Sequence, residues 1–179
     1  GVSKEKIKIV MALGSHRYMT EKEMIEKVGY IVYNNFKVIN SEFKDKNKLI
    51  NLGKAPDGVE IWANKEVMDS DIRIGIGNIV PHPAMGWSGG GKIVYPGVTG
   101  EDTVAKFHIK HGLAGINMYC MDDCPLRLMM EKWVDTVGLH FIINTVLTPD
   151  KRIYKVFSGH YVAAQRKGVE CAKKLYGKK

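Results

Sequence analysis

Glycine and proline crowd one stretch of this chain. Glycines stand at 75, 77, 86, 89, 90, 91 and 97, with Pro81, Pro83 and Pro96 among them. Proline fixes φ and removes a donor, while glycine admits conformations closed to other residues, so the run is unsuited to one long helix or central strand. His82 and Lys92 lie inside it, and His108 follows sixteen residues after the lysine in Thr-Val-Ala-Lys-Phe-His-Ile-Lys-His. Glycine also lets backbone amides approach phosphate or carboxylate oxygens without side-chain obstruction. The stretch reads as a site for a small charged ligand rather than a linker. Gly75, Gly77, Ser88, Gly89 and Gly90 are its candidate phosphate or cofactor contacts.

Regular elements are expected on both sides of it. Ile7–Leu13 is strand-like and ends at Gly14-Ser15-His16. Thr20-Glu-Lys-Glu23 has capping-box spacing and begins a helix whose apolar face carries Met24, Ile25 and Val28. Further strand-like runs are Val59–Trp62, Ile72–Ile76 and His140–Leu147, with Ile153–Phe157 at hairpin-like spacing after Pro149-Asp150. Helical periodicity covers 101–112, 123–137 and 160–176. Alternating strands and helices predict an α/β fold with a mostly parallel sheet and flanking helices. The chain is expected to be a single domain, or a fragment of a two-domain enzyme, with 1–179 forming one unit. No internal repeat or low-complexity tract interrupts it.

Composition narrows the function classes. A chain of 179 residues, 45% hydrophobic, can bury a core of ordinary size. No apolar run approaches the roughly 20 residues that span a bilayer, and the N-terminus lacks a signal-peptide pattern. Cys120, Cys124 and Cys171 make an odd count without zinc-site spacing, which predicts a reduced, cytoplasmic protein with cysteines serving as small hydrophobes. The net charge of +8 comes from scattered lysines rather than one stripe, so a solvated surface or an anionic small molecule explains it better than nucleic acid. Neither a membrane nor a nucleic acid is expected as partner.

Placement gives the histidines meaning. His16 lies just past one expected strand and His82 six residues past another. In open α/β sheets, ligands bind in crevices outside the carboxyl ends of strands. Taken singly, each residue has a bland explanation. A histidine after a strand is usually a loop or capping residue, and Ser-Gly-Gly-Gly-Lys is usually a turn. Ile93 stands where a P-loop needs Ser or Thr, and Gly75-Ile-Gly77 lacks the third glycine of a dinucleotide motif. His140 and His160 read as structural, His111 as solvent-facing, and Trp62, Trp87 and Trp133 as core or pocket wall. Four residues occurring together in order carry the functional reading.

Gly-Ser-His16-Arg-Tyr-Met-Thr, then Pro-His82-x3-Gly-x-Ser-Gly-Gly-x-Lys92-x3-Pro-Gly, then His108, resembles the nickel-pincer lactate racemase family in order and spacing. The intervals are 66, ten and sixteen residues, and the resemblance runs from about residue 7 to the C-terminus. It implies that His16 and His82 are an acid/base pair. It also implies that Lys92 carries a pyridinium-3-thioamide-5-thiocarboxylic acid mononucleotide and that His108 binds its nickel. Racemising a 2-hydroxy acid by hydride transfer requires removing a hydroxyl proton from either enantiomer, and imidazole titrates in the right range. A lysine amine can retain a cofactor covalently, and neutral imidazole suits nickel.

The same resemblance implies partners: a small anionic 2-hydroxy-acid substrate, enzymes that mature the cofactor, and further segments of the same enzyme. Known members are more than twice as long. They carry an upstream Asp-x-Thr-Arg-like segment that holds the substrate carboxylate and a C-terminal domain that closes over the site. This chain is expected to be the cofactor-bearing part of a divergent member. Asn40-Ser41-Glu42 stands where the family has a His-Asp pair, and Trp87 where phenylalanine is commoner. The alternative from the residues alone is a non-catalytic module that binds a phosphorylated or carboxylated metabolite.

Overall fold

The computed structural model describes residues 1–111 and 124–177. The first strand, β1 (Lys8–Met11), leads to α1 (Glu21–Val28), α2 (Tyr30–Asn35) and β2 (Lys37–Asn40). A hairpin-like pair follows, β3 (Leu49–Lys54) and β4 (Glu60–Asn64), then the short α3 (Lys65–Met68) and β5 (Ile74–Asn78). The glycine-rich stretch contributes β6 (Pro81–His82), β7 (Gly86–Trp87) and a 3-10 turn at Gly90–Ile93. The remainder is α4 (Glu101–His111), α5 (Pro125–Val137), β8 (Phe141–Leu147), β9 (Ile153–Gly159) and α6 (Tyr161–Tyr176). Cys120 lies outside the described residues, as does the His111 side chain.

Local chemistry explains the element ends. Thr20 accepts the Glu23 amide hydrogen while the Glu23 carboxylate accepts that of Thr20, the reciprocal box expected from the sequence. Pro125 opens α5, where its missing N–H costs nothing. His160 caps α6 by accepting the Val162 amide hydrogen, and His140 Nδ1 accepts that of Arg73 at 3.2 Å. Both histidines are structural.

The α/β class is as expected, and the strands divide into four sheets. β1–β2 and β5–β8 are parallel; β3–β4, β6–β7 and β8–β9 are antiparallel. Strand-like residues alone carry no partner assignment, so the expected mostly parallel sheet gives way to this mixed arrangement. Along β8, Ile142, Asn144 and Val146 face inward and are fully buried. Beneath the glycine-rich stretch, Tyr95, Phe107 and Trp133 pack edge to face, with centroids 4.7–5.4 Å apart. Tyr95 follows Lys92 by three residues and Phe107 adjoins His108, so this aromatic trio anchors both elements that bear them. Among the described residues, no helix is long and apolar enough to cross a membrane.

Candidate functional site

A cleft of about 490 Å³ opens where the ends of β1 and β5 meet the glycine-rich stretch, the middle of β8 and α4. His16, His82, Lys92 and His108 all line it, and so do Gly77, Ser88 and Gly89. The size is that of an ordinary small-molecule site. Among the described lining residues there is no carboxylate, and the one formal cation at neutral pH is Lys92. Such a lining favours an anionic occupant.

Each side chain arrives by a different element. After β1 the chain turns at Gly14, whose N–H donates to the Gly97 carbonyl at 2.9 Å, and the exposed His16 follows. His82 sits in β6, paired with Gly86 of β7, and is half-buried. Its Nδ1 accepts the amide hydrogens of Ala84 at 3.3 Å and Met85 at 3.2 Å. Burial, reinforced by Lys92, Arg127 and His108, lowers its pKa to about 4. Lys92 occupies the 3-10 turn, and burial with the Arg127 guanidinium holds its amine below the usual lysine range. The His108 imidazole on α4 is lowered by partial burial and by Lys92. At neutral pH the cleft therefore offers uncharged imidazole at His82, and an amine more easily freed of its proton than an exposed lysine.

The candidate glycines separate into two groups. Gly77 and Gly89 line the cleft; Gly75 and Gly90 do not. A Cβ on Gly75 would come within 2.5 Å of Ile93 Cγ2, so the close approach there is by the protein's own side chain. Gly90 has φ +63°, and a Cβ would meet Gln165 Cγ at 2.9 Å. These two serve the turn and its packing rather than a ligand. Ser88 lines the cleft, but its Oγ already donates to the Asn78 carbonyl and accepts the Val80 amide hydrogen. Trp87 is buried against Ile79 and Val169 rather than lining the cleft.

Two residues near the cleft were not singled out in the sequence. Asn144 lines it and accepts the Gly90 amide hydrogen at 2.7 Å. Its signal was present: an amide at the inward position between Ile142 and Val146. Arg127, 2% exposed, donates to backbone carbonyls of the β6–β7 hairpin. On a helix surface it would have been unremarkable, and the sequence gives no sign that it is buried.

The donor set bears on what metal group the cleft suits. Among the described residues, no three His, Cys, Asp or Glu side chains converge as a metal cage. A bare ion is therefore poorly served. A metal whose other donors come with an organic cofactor fits a site whose described lining offers imidazoles from separate elements, one amine partly stripped of water and no carboxylate.

Comparison with known proteins agrees with this geometry. Residues 1–115 match the lactate racemase N-terminal domain family model. The lactate racemase of Lactiplantibacillus plantarum is 31% identical over 172 residues, covering 95% of this chain and 41% of that protein. The lactate racemase of Thermoanaerobacterium thermosaccharolyticum is 29% identical over 168 residues, covering 92% and 39%. The apoprotein structure of lactate racemase from that organism superposes with a TM-score of 0.87 at 28% identity, covering 95% of this chain and 41% of that one. A crystal structure of a Thermotoga maritima protein gives 0.78 at 26% identity, covering 94% and 46%. The chain thus spans about two fifths of the length of the curated relatives it matches.

Proposed function

This chain belongs to the lactate racemase N-terminal domain family, and we propose that it forms the proton-transfer and cofactor-holding part of a 2-hydroxy-acid racemase or epimerase. The observation that carries this reading is the convergence of His16, His82, Lys92 and His108, far apart in sequence, on one cleft whose described lining has no carboxylate. His16 and His82 exchange the substrate hydroxyl proton. An uncharged imidazole is the form able to take it, and the depressed pKa of His82 keeps that form present at neutral pH. Lys92 holds the nickel-pincer nucleotide, pyridinium-3-thioamide-5-thiocarboxylic acid mononucleotide, through its side-chain nitrogen. A lowered amine pKa increases the fraction able to form that bond. His108 supplies an imidazole to the nickel, and its own depressed pKa leaves the ring nitrogen available for the metal. When bound, the cofactor supplies a hydride acceptor.

Other requirements of the reaction follow from the same residues. The positive lining draws in a small carboxylate substrate and the cofactor phosphate. Gly77, Ser88 and Gly89 line the cleft and are assigned as cofactor contacts, whereas Gly75 packs against the turn and Gly90 lies within it. Enzymes that mature the cofactor, and the remaining length that the relatives carry, are the implied partners.

Intact-mass measurement tests this without an activity assay. The chain, produced together with cofactor-maturation enzymes, should carry a covalent adduct that Lys92→Ala abolishes. His108→Ala should keep the organic adduct and lose most of its nickel by elemental analysis. An unmodified mass under those conditions would favour the non-catalytic metabolite-binding module.

A further inference from the structure

The β6–β7 hairpin that carries His82 is held from within by buried side chains of α5 and α6. Arg127 Nε donates to the Met85 carbonyl at 3.3 Å, and its Nη2 donates to that of Trp87. These two carbonyls flank Gly86, the register partner of His82. Gln165 Nε2 donates to the next carbonyl along, that of Ser88, at 3.2 Å. With its carbonyls fixed on this side, the return strand fixes the turn at 83–85, whose Ala84 and Met85 amides donate to His82 Nδ1.

A guanidinium is a costly means of satisfying two carbonyls, because burying a charge carries a large desolvation penalty even when it is paired. The pairing here is shared. Glu131 makes a bidentate ion pair with Arg166 at 2.8 and 2.9 Å, and stands 3.6 Å from Arg127 Nη1. Two cations thus share one carboxylate, leaving excess positive charge behind the hairpin. Neutral donors would have pinned the same carbonyls more cheaply.

We propose that Arg127 is a positioning residue for His82: by holding the Met85 and Trp87 carbonyls it keeps the Ala84 and Met85 amides on Nδ1, so that the neutral ring carries its proton on Nε2. A nitrogen that accepts two amide hydrogens cannot itself be protonated without losing both contacts. The resting His82 therefore presents a hydrogen-bond donor to a substrate oxygen, while no hydrogen bond among the described residues constrains the His16 ring. The two histidines start unequal. Taking a hydroxyl proton at Nε2 requires His82 to move its own proton to Nδ1 and release the turn. This inference deepens the proposed proton-transfer role of His82, and the following experiment reads the ring rather than turnover or cofactor loading, so either can fail alone.

Two-bond proton–nitrogen correlation spectra of the isotope-labelled chain at neutral pH report the tautomer directly, with His82 assigned by its loss in His82→Gln. The wild-type chain should show Nδ1 as the unprotonated nitrogen and Nε2 as the protonated one. In Arg127→Met the preference should fall by roughly tenfold, the range that two modest hydrogen bonds supply. Arg127→Lys keeps a charge but has no planar fork to reach both carbonyls, so it should rescue the preference only partly. Arg166→Met, which disturbs the same ion-pair cluster and reaches the hairpin only through Gln165, should lower thermal stability and shift the tautomer far less than Arg127→Met. A wild-type ring protonated at Nδ1 would overturn the proposal, even where the Arg127 variants do not fold. So would a folded Arg127→Met with an unaltered tautomer, or an equal change in Arg166→Met.

Discussion

Asn144 Oδ1 accepts the Gly90 amide hydrogen at 2.7 Å, joining the middle strand of the three-stranded sheet to the turn that carries Lys92. Asn144 is completely buried, and its Nδ2 donates to the Ile143 carbonyl at 3.2 Å. One amide side chain thus sets the height of the Lys92 turn over the sheet. Replacing Asn144 by Leu keeps the approximate volume and strands the Gly90 donor. The expected loss is about 1–3 kcal/mol of unfolding free energy, read by urea denaturation. A change of a few tenths would show that the turn does not depend on this bond.

Gly90 and Gly77 predict opposite outcomes. Gly90→Ala places a Cβ against Gln165 at positive φ and should cost about 2 kcal/mol or more from backbone strain and clash together. At Gly77 a Cβ would meet only Asn144 Nδ2, at an ordinary 3.5 Å. Gly77→Ala should therefore fold with nearly unchanged thermal stability while lowering adduct formation at Lys92. Equal destabilisation of both variants would contradict this division.

Acid should weaken the fold over a defined window. His82 has a folded pKa of about 4, against about 6.5 for an unperturbed histidine, so the unfolded chain binds a proton first as pH falls. The stability contributed by its neutral form is complete above pH 6.5, declines as pH drops towards 4 and is lost below that. His108, lowered in the same direction, adds to the slope. His82→Gln should flatten the dependence of the denaturation midpoint on pH between those limits. An unchanged slope would mean that His82 is not held neutral by the fold.

Catalysis is to be measured with this chain completed by the remaining length that its relatives carry and loaded with cofactor. A single 2-hydroxy-acid enantiomer should then racemise without free nicotinamide cofactor. An α-deuterated substrate should keep most of its label, because the hydride leaves and returns without meeting solvent. His16→Ala and His82→Ala should each lower the rate on the order of a hundredfold or more. Both directions must fall together, since neither variant alters the equilibrium between enantiomers. Washout of the label would replace hydride transfer with a carbanion route.

Much of the site was legible because its chemistry depends on residue types at fixed intervals. His16, His82, Lys92 and His108 are separated by 66, ten and sixteen residues, and the fold brings all four to one cleft. The capping box at Thr20, the apolar periodicity of α5 and α6, and the hairpin after Pro149 are likewise local. Each is set by contacts within a few residues, so the sequence displays it directly. Short elements such as α2, β2 and β3 carry too few periodic residues to stand out.

Partner choice was not local. Which strands pair, and in which direction, depends on packing between distant segments, so mostly parallel ladders were expected where three of the five described pairings are antiparallel. Gly75 and Gly90 looked like Gly77 and Gly89 in sequence, and only their position relative to the cleft separates them, since Gly89 is packed against Asn144 and Ile79 as closely as Gly90 is against Gln165. Arg127 reads as one more charged residue on an amphipathic helix until its burial against the Met85 and Trp87 carbonyls is seen. Spacing along the chain singled out the groups proposed to carry the chemistry. Burial and pairing across the chain decided their charge, and the contacts that orient them, because desolvation and backbone hydrogen bonding arise only once distant residues are brought together.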